Sequence, residues 1–414
     1  MPSLLDRIRF RQYRSFRDES MLELRRVTLL YGTNNSGKSA VARVLPWLAE
    51  SLESAGARAI PGLNLRSQVL RDAGFRQVLW AGALADDEKP QIEFELEGRG
   101  ARMRVALGWI DEWFQPAILE FAATSHTDSV AAEWQRRRED RQAETRRFLR
   151  RDTNEVLQIG FHGLLPSCTE LPWLQRVHDA FLPLCGGVTW LGPVRQGPGR
   201  HFSIDVGPGI LRDNGSDAQL LAHADSELLR RVSSFYEELD QLRLDIQTLD
   251  TALVKLRLSR TRDFPFYVDF PDTGEGLQQL FSVLVGLEQL RGGVPGILVV
   301  EEPDSHLHPQ AQRQLAARIT EIVRETTEAQ IVLETHSEVL LTAIQTEVAA
   351  QRLSPSDVAF HWIDQDIATG ASAIALIELD EQGRFVSNEF HVAFRHIGEL
   401  RQALLNARKG SHAR

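Results

Sequence analysis

Apolar and polar residues alternate along the first third of the chain in the manner of β-strands. Apolar-rich segments over residues 7–10, 21–24 and 27–31 predict two or three strands, and residues 39–54 have the apolar period of a helix. Segments 91–97, 103–109 and 117–122 alternate with a period of two, which is typical of antiparallel strands with one wet face. We expect a first lobe, over residues 1–122, that mixes helix with antiparallel sheet.

Runs of consecutive apolar β-formers replace this alternation in the second half of the chain. Residues 297–300 and 331–333 form two such runs, and a helix is predicted between them over residues 310–324. Fully buried parallel strands have this pattern, and one crossover would make the two strands neighbours. Residues 271–378 are therefore predicted to form a lobe with a parallel-sheet core, which gives the chain an α/β fold.

The remaining segments are assigned from their charge and periodicity. Residues 123–187 are predicted to form a helical, arginine-rich insertion. Residues 188–270 are predicted to form a strand and a helical hairpin, because apolar residues between positions 229 and 246 recur at spacings of three and four. Residues 379–414 are expected to complete a strand pair, over 374–379 and 384–386, and to add a helix near 396–407.

The arginine-rich stretch over residues 134–151 allows two interpretations. It fits a solvated helix whose arginines pair with nearby acids. It also fits a basic face for DNA, RNA or an acidic protein, because the arginines cluster in a chain whose net charge is −10. The sequence leaves both open.

Overall composition narrows the class of protein but not its partner. The chain has 414 residues, 43% of them hydrophobic, which is enough for a large buried core. Cys168 and Cys185 are its only cysteines, so neither a disulfide framework nor a zinc module is expected. The N-terminus lacks a signal-peptide core, and no apolar run approaches the roughly 20 residues of a membrane helix. We expect a cytoplasmic protein without membrane contact.

Residues 32–39 have the sequence of a phosphate-binding loop between a predicted strand and a predicted helix. The loop consists of Gly32, Thr33, Asn34, Asn35, Ser36, Gly37, Lys38 and Ser39. Its glycines let backbone N–H groups close around phosphate oxygens, Lys38 reaches the terminal phosphates, and the Ser39 hydroxyl can ligate Mg²⁺. The loop predicts that the chain binds a nucleoside triphosphate with Mg²⁺.

Two carboxylates and a histidine follow the predicted parallel strands. Glu301 and Glu302 lie at the sheet edge where α/β folds place ligand-handling groups. We predict that Glu301 orients the metal ion, directly or through water, and that Glu302 polarises the attacking water for displacement at the γ-phosphate. His336 follows the neighbouring strand, so we expect it beside Glu302, within reach of the γ-phosphate or the water.

Two further local patterns surround these strands. Gly274 and Gly276 begin an apolar helix, where exposed N–H groups and the helix dipole favour an anion. His306 and His308 are two residues apart and could face the same way. However, no third metal ligand lies nearby in the sequence, and Pro309 is typical of the first turn of a helix. We therefore do not expect a metal site at these histidines.

In their order and spacing, these motifs resemble the ABC-type ATPase heads of the SMC, RecF and OLD families. The chain is most similar to the OLD-like AAA ATPases. Five segments carry this closer resemblance: Tyr13-Arg-Ser-Phe16, Trp190-Leu-Gly-Pro-Val-Arg195, Asp272-Thr-Gly-Glu-Gly-Leu-Gln-Gln279, Glu301-Glu-Pro-Asp-Ser-His-Leu-His-Pro309 and Glu334-Thr-His-Ser-Glu338.

The resemblance implies a dimer with ATP between two subunits. Lys38 and Ser39 of one subunit would face the signature helix start of the other, which contains Gly274, Glu275, Gly276, Gln278 and Gln279. The resemblance also places Asp304 and Ser305 in the loop that crosses the dimer, and Arg14 near the nucleotide. Gln77 is the best candidate for the glutamine that senses the γ-phosphate.

Two positions depart from the family pattern. Gln278 replaces the signature serine of many relatives, which changes how the γ-phosphate would be contacted across the dimer. Glu301 stands where many ABC ATPases have aspartate, as is common in the OLD-like group.

OLD nucleases also carry a C-terminal Toprim domain, and we expect no room for it here. The resemblance therefore implies a sensor or scaffold subunit that controls a separate nuclease or toxin, similar to the stand-alone ATPases of the Septu- and PARIS-type antiphage systems. One alternative is a RecF-like DNA-repair ATPase that would use the arginine-rich stretch. Another is a nucleotide-switched regulator with negligible turnover, which Glu302 disfavours.

Overall fold

The computed structural model describes residues 3–52, 62–83, 90–137, 143, 145–203, 226–250, 253–260, 266–292 and 296–386. In chain order, the strands are β1 (Arg7–Arg11), β2 (Ser20–Glu23), β3 (Val27–Gly32), β4 (Gln91–Gly98), β5 (Ala101–Ile110), β6 (Gln115–Ser125), β7 (Asp128–Trp134), β8 (Thr145–Arg150), β9 (Val156–His162), β10 (Leu165–Ser167), β11 (Val188–Leu191), β12 (Phe202–Ser203), β13 (Leu242–Thr248), β14 (Leu253–Arg260), β15 (Tyr267–Asp269), β16 (Ile297–Glu301), β17 (Gln330–Glu334), β18 (Val358–Gln365) and β19 (Ser372–Ile377). The helices are α1 (Lys38–Leu52), α2 (Phe75–Val78), α3 (Leu174–Phe181), α4 (Ser226–Asp240), α5 (Glu275–Leu290), α6 (Pro309–Glu325) and α7 (Glu338–Ala349).

A six-stranded sheet in the order β11-β16-β17-β3-β18-β19 forms the core. Its first five strands are parallel, and β19 pairs antiparallel with β18. Every residue of β3, β16 and β17 is buried, because apolar layers cover both faces of the sheet. The predicted parallel-sheet core is thus confirmed, including the neighbouring positions of β16 and β17.

The two faces of this core sheet belong to different hydrophobic clusters. Ile297 and Val299 pack into a cluster with α1 and the antiparallel strands, whereas Leu298 and Val300 pack into a cluster with α5, α6 and α7. Since successive side chains of a strand point to opposite faces, one short strand contributes to both layers. Replacing any of these residues by a polar one would disturb a buried layer.

A nine-stranded antiparallel sheet, in the order β10-β9-β8-β7-β6-β5-β4-β1-β2, forms the second layer. Strand β4 alternates between buried and more exposed residues along its whole length, as predicted, whereas β5 alternates only as far as Val105 and is then buried continuously to Gly108. On the exposed face, Arg9 lies opposite Glu95 and Arg7 opposite Glu97. These cross-strand charge pairs hold the polar face of the sheet in register.

The predicted helical insertion over residues 123–187 is wrong for most of its described residues. The antiparallel sheet continues through β7, β8, β9 and β10, and α3 is the one α-helix described in this range. Val130, Ala132 and Trp134 are buried at alternate positions of β7, and the charged residues between and after them mask this period in the sequence. The predicted lobe boundary at residue 122 accordingly falls inside β6.

The predicted helical hairpin within residues 188–270 is also corrected. Helix α4 ends at Asp240, Gln241 has a left-handed φ of 57°, and the chain then forms the antiparallel pair β13 and β14. Leu244 and Ile246 therefore lie on a strand, where their spacing of two suits one face. These strands join β12 and β15 in a third, small sheet.

At the C-terminal end, β19 covers most of the predicted strand over 374–379, and Leu379 forms an isolated bridge with Phe385. The helix predicted near residues 396–407 lies outside the described residues. None of the helices in the described ranges is both long and apolar enough to cross a bilayer. Neither Cys168 nor Cys185 forms a disulfide bond within the described residues.

Candidate functional site

The phosphate-loop sequence lies at the carboxyl edge of the core sheet. It connects β3, which is flanked by β17 and β18, to the first residue of α1. Strands β16 and β17 end at the same edge, because they run parallel to β3. The topology therefore brings together the three segments that the sequence selected for nucleotide chemistry.

The glycines of the loop allow close backbone packing. A Cβ on Gly32 would lie 2.1 Å from the Ile363 carbonyl oxygen. Gly37 has a φ of +103°, and a Cβ there would lie 2.8 Å from Ser15 Oγ. The segment between these glycines is exposed at Thr33, Asn34 and Asn35 and buried at Ser36. Asn35 has a left-handed φ. The loop thus presents exposed backbone at its tip and is fixed at both ends.

Lys38 is buried at the start of α1. Its Nζ donates hydrogen bonds to the carbonyl oxygens of Gly32 (3.1 Å) and Thr33 (2.5 Å). Burial lowers the pKa of this ammonium group, and the nearby carboxylates Glu334 and Glu302 oppose that shift. The cation is therefore held against the loop, facing two acidic side chains.

Ser39 contacts a carboxylate that the sequence analysis did not select. Its hydroxyl donates to Glu334 Oε1 at 2.6 Å, and Glu334 is the last residue of β17. Burial, followed by the charge of Glu301, raises the pKa of Glu334 to about 7. Glu334 could have been found by its pattern, because it ends an apolar run two residues before His336, just as Glu301 ends the apolar run of β16.

The oxygens around Ser39 fit a magnesium ion. Glu334 Oε2 is buried and has no hydrogen-bond partner among the described residues. Mg²⁺ prefers oxygen ligands and is usually held by one or two protein groups together with substrate phosphates. Ser39 and Glu334 supply such a pair. No cluster of three His, Cys, Asp or Glu side chains that could hold a metal occurs within the described ranges, so the phosphates would complete the ligand set.

Glu301 is engaged by two donors on other elements. Arg43, one turn after Ser39 on α1, donates from Nε to Glu301 Oε1 at 2.6 Å and from Nη2 to Oε2. Trp190 Nε1 donates to Oε1 at 2.8 Å. Glu301 thus lies next to Glu334, close enough to raise its pKa, while both of its own oxygens accept hydrogen bonds. Its proposed contact with the metal remains a prediction.

Glu302 has a strained backbone conformation directly after β16. Its φ is +48°, in the left-handed region that non-glycine residues seldom adopt. Its N–H donates to the Glu334 carbonyl oxygen at 2.7 Å, and its Oε2 accepts from Ser305 Oγ at 2.9 Å. Strain of this kind clusters at functional sites, where surrounding contacts maintain it.

His336 lies beside Glu302, at the end of the neighbouring strand. It is exposed, and burial of part of the ring and the charge of Lys38 lower its pKa, whereas Asp304 and Glu302 raise it. Asp304 accepts a hydrogen bond from the Thr335 hydroxyl, and burial raises the pKa of its carboxyl group. Because this imidazole is exposed and lies among charged groups, it does not resemble a core histidine whose hydrogen bonds are all made within the protein.

Arg14 and Gln77 lie together near the loop. The Arg14 N–H donates to the Val78 carbonyl oxygen at 2.7 Å, and its Nη1 donates to the Gln77 carbonyl oxygen at 3.1 Å. The adjacent Tyr13 hydroxyl donates to the Ala40 carbonyl oxygen on α1 at 3.1 Å. The structure therefore brings the two candidates together, and their contacts with nucleotide remain predictions.

The signature sequence begins α5, with Gly274 at its N-cap. A Cβ on Gly276 would lie 2.4 Å from the His306 carbonyl oxygen, so the helix start packs closely on the loop after Glu302. Gln278 Nε2 donates to the Thr273 carbonyl oxygen at 2.9 Å. Among the described residues, no hydrogen bond or ion pair joins positions 274–279 to the phosphate loop of the same chain.

His306 and His308, in the loop between β16 and α6, contact other groups of the protein. His306 lies 3.7 Å from Glu275, and His308 Nδ1 accepts the Gln310 N–H at 3.3 Å, which caps α6. This cap agrees with the helix opening predicted at Pro309.

The described part of the arginine-rich stretch consists of the end of β7, the strand β8 and short segments beside them, and several of its arginines contact acidic or aromatic side chains. Arg136 pairs with Glu112 at 2.5 Å and Arg151 with Glu120 at 2.8 Å. The Arg146 guanidinium lies 5.3 Å from the ring centroids of both Trp113 and Trp134. These contacts agree with the interpretation of paired arginines, although Arg136 and Arg151 lie just after β7 and β8 and not on a helix.

Three solved structures are similar to the chain at low sequence identity. They are an SMC head bound to the C-terminal winged-helix domain of ScpA (12% identity, TM-score 0.48, covering 91% of this chain and 98% of that one), the SMC head domain from Thermotoga maritima (15%, 0.43, 91% and 99%), and an SMC head with an extended coiled coil bound to the C-terminal domain of ScpA derived from Pyrococcus furiosus (10%, 0.48, 97% and 100%). Comparison with curated proteins gives no match.

Residues 27–342 match the family described as "AAA domain, putative AbiEii toxin, Type IV TA system". The match includes the phosphate loop, the signature sequence, the paired glutamates and the Thr-His-Ser segment, and it confirms the prediction of an AAA-type ATPase domain. Since it spans well over half of the chain, the protein belongs to this AAA-domain family.

Proposed function

We propose that the protein is an ATPase that binds Mg²⁺ and ATP at the phosphate loop and hydrolyses the γ-phosphate in a dimer. The observation that carries this proposal is the convergence of Lys38, Ser39, Glu334, Glu302 and His336 at one edge of the core sheet. They supply a cation for phosphate, two metal-binding oxygens, a carboxylate for the attacking water and an imidazole for the γ-phosphate.

Each group has a distinct part in the proposed reaction. The loop N–H groups and Lys38 bind the phosphate oxygens, and Ser39 and Glu334 would hold Mg²⁺, which neutralises phosphate charge when bound. Glu302 accepts a hydrogen bond from the attacking water and orients it in line with the γ-phosphate. His336 donates to a γ-phosphate oxygen. Since phosphoryl transfer depends mainly on positioning and electrostatics, the fixed backbone at Glu302 suits this chemistry.

The dimer is proposed because the chain has two separate anion-binding segments. In one chain, the start of α5 packs on the loop after Glu302 and has no hydrogen bond to the phosphate loop among the described residues. We infer that residues 274–279 bind the nucleotide of a second subunit, with Gln278 in place of the signature serine. Asp304 and Ser305 would lie at the junction of the two subunits.

We further propose that this ATPase is a cytoplasmic sensor or scaffold subunit of an antiphage defence system that controls a separate effector. The family description, which names a toxin–antitoxin system, supports a control function that involves more than one protein. The RecF-like alternative gains little from the described part of the arginine-rich stretch, because Arg136 and Arg151 already pair with carboxylates.

Phosphate release with ATP and Mg²⁺ tests the enzymatic proposal. Lys38→Ala should abolish ATP binding. Glu302→Gln should keep ATP binding, lower turnover by at least about 100-fold and increase the dimer fraction with ATP, measured by light scattering. Glu347→Gln, which alters a largely buried carboxylate on α7 that pairs with Arg352, is the matched control and should leave turnover unchanged. Wild-type turnover in Glu302→Gln would contradict the assignment.

Association with the products of adjacent genes tests the proposed defence role. We expect co-purification with one such product, and protection against phage only when both are expressed. Absence of both association and joint protection would refute this role while leaving the ATPase proposal intact.

A further inference from the structure

Arg195 is a fully buried arginine that the proposed reaction does not use. It lies after β11, at the end of the Trp190–Arg195 segment, and 2% of its surface is exposed. Its Nη1 donates to the carbonyl oxygens of Gly192 (2.7 Å) and Glu301 (2.8 Å), and its Nη2 donates to that of Glu302 (3.1 Å). The guanidinium therefore holds the backbone of both glutamates at the end of β16.

The same arginine is bound to the start of α5. Arg195 Nε donates to the Gln279 carbonyl oxygen at 3.0 Å. The Gln279 side-chain amide pairs with the Arg195 backbone in both directions, accepting its N–H at 3.1 Å and donating to its carbonyl oxygen at 2.7 Å. Three hydrogen bonds thus join these two residues.

These contacts fix the backbone where Glu302 is strained. The Glu302 carbonyl oxygen accepts from Arg195 Nη2 and from the Ser305 N–H, and its own N–H donates to Glu334. A left-handed φ in a glutamate costs on the order of 1–3 kcal/mol and persists only when neighbouring groups maintain it. Because the guanidinium is planar and has five donors, it can bind several carbonyl groups at once, which a lysine ammonium cannot do in the same geometry.

We propose that Arg195 is a positioning residue that orients Glu302 for hydrolysis and links it to Gln279 in the signature helix. The inference rests on the proposed ATP-sandwich dimer. When the start of α5 binds the nucleotide of the partner subunit, the Gln279–Arg195–Glu302 connection aligns Glu302 over the nucleotide of its own subunit. Occupation of one ATP site would then promote hydrolysis at the other.

Arg195→Lys tests the positioning role. We expect kcat to fall by about 100-fold, as small misplacements of reacting groups do, with the KM for ATP changed by less than about threefold. In the Glu302→Gln background, single-turnover hydrolysis should fall by less than about twofold on adding Arg195→Lys, because Arg195 acts through Glu302. The matched control is Arg318→Lys, which alters another buried arginine that binds Glu288 away from the site and should leave kcat unchanged.

Gln279→Ala tests the link without altering the buried charge. In a mixed dimer, one subunit carries Gln279→Ala and the other carries Glu302→Gln, so both phosphate loops bind ATP but only the Gln279→Ala subunit can hydrolyse it, opposite an intact signature helix. At saturating ATP, we expect hydrolysis at this site to fall at least about tenfold relative to a dimer that carries Glu302→Gln alone in one subunit. Because the signature helix that faces this site is unchanged, that loss arises within the Gln279→Ala subunit, through Arg195.

The outcomes separate this inference from the proposed function. If Glu302→Gln abolishes turnover but Arg195→Lys folds and keeps wild-type kcat, the positioning role is refuted and the ATPase assignment stands. An equal loss from Arg195→Lys with and without Glu302 would also refute it, since the arginine would then act independently. Unchanged hydrolysis in the mixed dimer refutes the link to Gln279. Because the mixed dimer keeps Arg195, it tests this link even if Arg195→Lys fails to fold.

Discussion

Glu334 lies between two kinds of neighbour that have opposite effects on its charge. The Ser39 hydroxyl and the charges of Lys38 and Arg43 favour its carboxylate form, whereas burial and the adjacent Glu301 disfavour it, and the pKa rises to about 7. A cation bound at its buried Oε2 would remove this conflict. At the scale of single residues, the structure therefore favours Glu334 over the more obvious Glu301 as the carboxylate that faces the metal.

Glu334→Gln should weaken Mg²⁺-dependent nucleotide binding. The amide can still accept from Ser39 but is a neutral and poorer metal ligand, so we expect ATP affinity with Mg²⁺ to fall by at least about tenfold. Titration of a fluorescent ATP analogue with Mg²⁺ and with EDTA measures the effect. The variant and the wild-type protein should agree in EDTA, and Glu347→Gln should match wild type in both. A loss of equal size in EDTA would show that Glu334 supports the loop rather than the metal.

At the scale of elements, the sequence predicted those strands whose environment is simple. Strands β3, β16 and β17 are apolar over most of their length because both faces are buried, and β4 alternates clearly because one face is wet. Strand β8 was missed because three of its six residues are arginines, and β7 was missed because it leads directly into the charged stretch that follows it. Arg146 is itself buried, between two tryptophans, so its charge conceals a core position.

Arg146→Ala should destabilise the antiparallel sheet more than Arg147→Ala does. The Arg146 guanidinium contacts the rings of Trp113 and Trp134, and such partly desolvated contacts contribute about 1–2 kcal/mol. Arg147, the next residue on β8, points to the other face and is the matched control. Urea unfolding at pH 7 compares the free energies of unfolding. If both variants lose the same stability, the tryptophan pair does not hold Arg146 as the geometry indicates.

At the scale of the whole molecule, polar side chains join the two large sheets. The Gln330 amide on β17 donates to the Leu5 carbonyl oxygen at 2.8 Å and accepts the Leu5 N–H at 3.1 Å. His361 on β18 binds the Glu23 carbonyl oxygen on β2 through Nε2 at 2.8 Å. The sequence could predict both layers but not these contacts, because no local pattern reveals which residues come into contact when they are hundreds of positions apart in the chain.

His361 makes the junction of the sheets sensitive to acid. Its ring is 1% exposed, and burial lowers its pKa from 6.5 to about 4. The unfolded chain takes up a proton near pH 6.5, but the folded chain does so only near pH 4, so acid favours unfolding between these values. The stability contributed by the neutral ring is complete above about pH 6.5 and is lost as the pH falls toward 4.

From pH 8 to pH 5, His361 should lower the free energy of unfolding by about 2 kcal/mol. His361→Gln keeps a donor for the Glu23 carbonyl oxygen but does not titrate. From pH 8 to pH 5, the free energy of unfolding of this variant should therefore fall by about 2 kcal/mol less than that of wild type. Urea unfolding at both pH values measures the difference. His126→Gln, at an exposed position between β6 and β7, is the matched control and should retain the wild-type pH dependence. An identical pH dependence in His361→Gln would mean that other groups govern the acid sensitivity, and that the histidine contact does not couple the two sheets to pH.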